Sequence, residues 1–160
     1  MTLGGVMSKG SEKEHTMLLT TIGFSKKSLR TFVSALQTNK VTRLIDTRLQ
    51  NTSQLAGFAK KDDLEFILEL LNIEYVHDLS LAPTEGLLKA IKHKDISWGE
   101  FETAFLDLLS QRKIETGMQK MLGDGVPCFL CSEEKPHHCH RRLVVEYLRE
   151  FDNRIEIVHL

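Results

Sequence analysis

The chain lacks an excess of charge of either sign: 21 Lys plus Arg stand against 22 Asp plus Glu in 160 residues. That balance disfavours a protein that coats nucleic acid through a basic surface, and leaves only a local basic rim for such contact. Long hydrophobic runs are missing as well. None reaches the roughly 20 residues of a membrane span, so no membrane partner is expected. Residues 1–16 are rich in Gly, Ser, Lys and Glu and lack the apolar centre of a signal peptide. They read as a flexible N-terminal extension ahead of one α/β domain at 17–160. Cysteine is scarce: three thiols, an odd number, in a chain long enough to fold without staples. Reduced thiols in the cytoplasm are the expectation, and any chemistry at them should be thiolate, metal or redox chemistry. There is no internal repeat.

What is present is an ordinary apolar share, 41%, sufficient for one substantial core. Short β-rich runs alternate with helical patterns, which predicts a three-layer α/β fold. Its sheet should be mostly parallel, with about five strands, helices on both faces and a helical insertion after strand three. Strands are expected at 17–22, 41–46, 73–77, 126–131 and 154–158. Ser25 is the expected cap of a helix carrying Leu29, Phe32, Val33 and Leu36 at helical spacing. Further helices are expected at 62–72, from Thr84 to near Lys92, after the Ser97-Trp-Gly-Glu100 capping box, at 114–122, and from Pro136 onward. The polar stretch 47–59 is long for a connection inside a compact domain, a place where function often resides.

In an open parallel sheet, ligands bind beyond the carboxyl ends of the strands. The conspicuous polar residues fall there: Gly23-Phe-Ser25, Asp46-Thr-Arg48 and Cys131-Ser-Glu133. Asp46 and Arg48, two apart, share one face of extended backbone. They suit either a bidentate anion grip by Arg48 with Asp46 as base or orienter, or a structural ion pair. Residues 131–141, Cys-Ser-Glu-Glu-Lys-Pro-His-His-Cys-His-Arg, are denser still. Cys139 is expected in the first turn of the last helix, where the dipole favours a thiolate, and Arg141 adds charge for an anion. Three readings stay open. Cys131 or Cys139 is a nucleophile with His140 or Glu133 moving protons; or Cys131, Cys139 and His140 bind a transition metal; or His140 begins the stripe Val144, Tyr147, Leu148, Phe151 as a core histidine. The Cys-x2-Cys-x7-Cys spacing fits no paired-ligand zinc pattern. Cys128 reads as a small core hydrophobe, and Lys26-Lys27 and Lys60-Lys61 as solvated faces.

With these motifs the chain resembles the domain of unknown function 488 family. That family pairs an early Asp-x-Arg-x-x-Pro-x-Ser segment with a late Cys-x-Glu…Cys-His-Arg segment. The late motif is complete here, and the early one reads Asp46-Thr-Arg48-Leu-Gln-Asn51-Thr-Ser53. The resemblance runs from about Leu18 to Val158. It implies that Asp46, Arg48, Ser53, Cys131, Glu133, Cys139, His140 and Arg141 form the polar signature, without naming a reaction. Asn51 replaces the proline, Leu81-Ala-Pro83 replaces a Leu-Gly-Gly, and residues 51–58 suggest a separate branch. The expectation is an enzyme acting on a small anionic or nucleotide-like ligand. Asp46, Cys131, Glu133, Cys139 and His140 would be catalytic, with Arg48, Ser53 and Arg141 binding the ligand. A metal-binding or redox-sensing module and a nucleic-acid-binding protein are the alternatives.

Overall fold

The computed structural model describes residues 15–160, so residues 1–14 of the expected extension lie outside the described residues. Five strands form one parallel sheet: β1 (Met17–Gly23), β2 (Val41–Asp46), β3 (Glu74–His77), β4 (Val126–Cys131) and β5 (Ile155–His159). Their order is β3-β2-β4-β1-β5, and every pairing is parallel. Central strands covered on both faces are apolar without strict alternation. β4 shows this: Cys128, Phe129, Leu130 and Cys131 are all buried.

One face carries α1 (Leu29–Thr38) and α2 (Lys61–Leu70), packed through Phe32, Leu36, Leu64 and Leu68 onto Ile22, Leu44, Cys128 and Leu130. The other carries α3 (Glu85–Lys92), α4 (Trp98–Gln111), α5 (Met118–Leu122) and α6 (His140–Arg149). There Phe101, Phe105, Leu109, Val144 and Leu148 cover Leu19, Ile45 and Phe129. The caps that the sequence marks are present at Thr84, and at Ser97 with Glu100 as a full capping box.

Two starts differ from expectation. α1 is capped by Ser28 rather than Ser25, because Lys26 takes a left-handed φ of 60° that delays the helix. α6 begins at His140, so Cys139 is its N-cap rather than a first-turn residue. The chain bends first through Pro136, whose carbonyl accepts from the Cys139 amide. Residues 114–122 also divide, into a 3-10 turn at Ile114–Gly117 followed by α5.

The topology makes a crevice. Chain leaving β1 and β2 turns toward α1 and α2, whereas chain leaving β4 turns toward α6. Such reversals open ligand sites at the carboxyl edge of parallel sheets. No helix among the described residues is long and apolar enough to cross a membrane.

Candidate functional site

The two polar signatures diverge at the crevice. Asp46 is fully buried, and its carboxylate accepts from Arg48 Nε at 2.9 Å, Arg48 Nη2 at 2.8 Å, the Tyr75 hydroxyl at 2.7 Å and Asn51 Nδ2 at 3.3 Å. Burial pushes its carboxyl up, but the Arg48 hydrogen bonds and charge, with Tyr75, outweigh this and hold it below the usual range. Burial and the Asp46 carboxylate push the Tyr75 phenol up. Arg48 also donates to the Ala59 carbonyl at 2.7 Å and lies over the Phe24 ring. The pair therefore ties the end of β2 to the 47–59 connection. Asn51 adds a donor to that network.

The residues following β4 face the other way. Cys131 and Cys139 are joined in a disulfide, both almost fully buried, where the sequence suggests reduced thiols. Cys128 is free and buried, its thiol pushed up to about 12 by desolvation. Beneath Cys131 lies Arg141, fully buried, which donates to Cys131 Sγ at 3.1 Å, the Glu133 carbonyl at 2.6 Å and Thr21 Oγ1 at 3.2 Å. Burial lowers its pKa to about 10, so it stays cationic at neutral pH. Among the described residues no carboxylate forms an ion pair with it. An isolated buried cation is costly, and Cys131 is the contact able to supply a negative charge.

His140 is held by Thr47. Its Nε2 lies 2.9 Å from the Thr47 carbonyl and 2.9 Å from Thr47 Oγ1, whose hydroxyl donates to the Leu130 carbonyl. A carbonyl only accepts, so Nε2 carries the proton and Nδ1 presents a lone pair. Burial lowers the pKa to about 4; the Thr47 bond opposes this and the nearby Arg141 charge reinforces it. A depressed histidine contributes stability that is present above its unfolded pKa near 6.5 and lost as pH falls toward 4. Unfolding free energy is therefore expected to drop by about 2 kcal/mol between pH 7 and pH 5 from this group. Urea denaturation of His140→Gln should show that increment missing; an unchanged pH slope would contradict a neutral buried His140.

Cys131, Ser132, Glu133, His140 and Arg48 line one side of a 350 Å³ cleft, and Glu85, Leu88, Lys89 and Lys92 of α3 line the other. A 620 Å³ cavity shares Leu88, Lys92, Glu133 and His140 with it and adds Cys139, Ile91, Trp98, Phe101 and His138. The structure thus gathers Cys131, Glu133, Cys139 and His140 around one opening, with Arg48 in its wall. Asp46 stands behind Arg48. Arg141 lies below the floor, and Ser53 is exposed, capping the 3-10 turn that follows it through the Leu55 amide. The α3 residues and Trp98 were not foreseen. Their helical spacing was visible, but nothing local reveals which strand end they overlie. No group of three His, Cys, Asp or Glu among the described residues is placed to hold a metal ion.

A parallel α/β sheet with polar residues collected at the carboxyl end of its middle strand defines the class. Residues 28–148 match the family described as Domain of unknown function DUF488, and the chain belongs to that family. No curated protein and no solved structure matches.

Proposed function

We propose that the protein is an enzyme acting on a small anionic ligand held in the cleft between α3 and the β4–α6 connection, with reduced Cys131 as its thiolate nucleophile. One observation carries this: a buried arginine without a carboxylate partner among the described residues touches Cys131 Sγ. When the disulfide is opened, the thiolate of Cys131 completes that ion pair, and positive surroundings favour thiolates. His140 Nδ1 accepts a proton or a hydrogen bond at the cleft wall, and Lys89 and Lys92 attract the anion. Arg141 acts through Cys131 rather than by gripping the ligand.

Reduced protein treated with iodoacetamide at pH 7 should be alkylated at Cys131 first. In Arg141→Gln the rate should fall by about tenfold, and its pH profile should move to higher pH. Equal rates at equal helicity would remove Arg141 from the argument. In a thermal-shift panel of phosphates and organic anions, stabilisation weakened by Lys92→Ala would support the cleft; no response to any anion would count against it.

The Cys131–Cys139 disulfide favours a second reading, a redox-sensing module in which oxidation removes the nucleophile. Turnover confined to the reduced protein fits the enzyme. Reversible closure of the disulfide without any ligand response fits the sensor.

A further inference from the structure

The two adjoining cavities differ in chemistry. The inner cleft is lined by two cationic residues, Lys89 and Lys92. Lys89 is held by Glu85 at 2.9 Å, whereas Lys92 makes no ion pair among the described residues. The outer cavity is walled by Leu88, Ile91, Trp98 and Phe101. Leu88 is half-buried yet stands outside both core clusters, so its side chain serves the cavities rather than the fold. Trp98 belongs to a stack of planar rings, 5.0 Å from Phe101 on one side and 5.0 Å from His138 on the other. His138 is exposed, so a planar nitrogen heterocycle already lies against this wall. Between the two cavities sits His140, whose Nδ1 is an acceptor without a protein partner among the described residues.

We infer that the ligand is a planar heteroaromatic group joined to an anion, of the nucleoside monophosphate class, with its phosphate at Lys92 and its base in the Trp98 cavity. This rests on the anionic-ligand reading above and adds the second half of the molecule. A 620 Å³ space lies within the range of small-molecule pockets. Its apolar wall suits a base that stacks or packs edge-on. A base or ribose N–H or O–H donor pairs with His140 Nδ1, and Glu133 on the shared wall accepts from a second donor. The outer cavity adds apolar contact that a bare phosphate or sugar phosphate cannot use.

The chain has a single tryptophan, Trp98, so its fluorescence reports directly on this cavity. Reduced full-length protein is titrated with nucleoside monophosphates, ribose 5-phosphate and inorganic phosphate, by fluorescence and by calorimetry. At least one nucleotide should change the emission saturably and bind roughly tenfold tighter than ribose 5-phosphate. Calorimetry on Trp98→Ala should bring that nucleotide down to the sugar phosphate level. Leu88→Ala, outside the core, should lower its affinity by more than that of ribose 5-phosphate, because Leu88 borders both cavities. Lys92→Ala should weaken both ligands alike. If ribose 5-phosphate matches every nucleotide, the aromatic subsite is wrong while the anionic cleft stands. If none of the three ligand types binds, both fall.

Discussion

Asp46→Asn is expected to lower the unfolding free energy by about 3–5 kcal/mol, the usual effect of removing one partner from a buried ion pair. The substitution barely changes volume, so the loss is electrostatic. Arg48, only 4% exposed, would keep its charge without a counter-ion, and the Tyr75 hydroxyl and Asn51 amide would lose their acceptor. Guanidinium chloride denaturation measures the effect. A double variant, Asp46→Asn with Arg48→Met, should recover part of the loss, because removing both charges ends the uncompensated burial. A wild-type midpoint for Asp46→Asn combined with lost turnover would instead make Asp46 a chemical residue. The geometry favours the structural outcome, since its carboxylate already has several donors.

The second large effect is expected at Gly23, where β1 passes beneath the β4–α6 connection. A Cβ there would overlap the Glu133 carbonyl oxygen and come 2.6 Å from its carbon and 2.9 Å from Arg141 Nη1. The obstacle is backbone, which cannot rotate aside. Gly23→Ala should cost about 3 kcal/mol, the upper end of overpacking penalties, by pushing Glu133 outward. That movement also breaks the 2.6 Å bond from Arg141 to the Glu133 carbonyl. Thermal unfolding and the alkylation rate of Cys131 should therefore change together. A variant with the parent melting temperature and thiol reactivity would mean that the connection yields freely.

Much of this architecture could be read in advance. Strand β4 and the caps at Thr84 and Ser97 stand where the sequence puts them, because those signals are local: an apolar run, or a hydroxyl followed by a helical pattern. Serine was ambiguous at Ser25 and Ser28, since either hydroxyl can cap and only the Lys26 backbone decides. α6 misled in a more instructive way. The stripe from His140 through Val144, Tyr147, Leu148 and Phe151 is displaced by about one residue from the buried one, which contains Arg141, Val144, Val145 and Leu148. Phe151 is exposed and Arg141 buried. The sequence reads Arg141 as a ligand-binding charge, whereas its guanidinium is buried beneath Cys131 at the head of the apolar stripe. The Cys131, Cys139 and His140 cluster was legible because it is contiguous. The opposite wall, Leu88, Lys92 and Trp98, was not, because it arrives from the 78–98 segment by a crossover that no local pattern encodes.

The strand order has a consequence for how the chain assembles. β1 bonds only to β4 and β5, and β2 only to β3 and β4. β1 and β2, both made before β4, thus never pair with each other; a gap of two strand spacings, roughly 10 Å, separates them until β4 inserts. Such non-local pairing slows folding and leaves strand edges exposed in partly made chains. Until residue 131 is available, residues 17–77 hold β1, α1, β2, α2 and β3, with the β1 and β2 edges open toward the vacancy. The strand that ends in Cys131 is also the one whose arrival joins the halves, so the site exists only once β4 stands between β1 and β2.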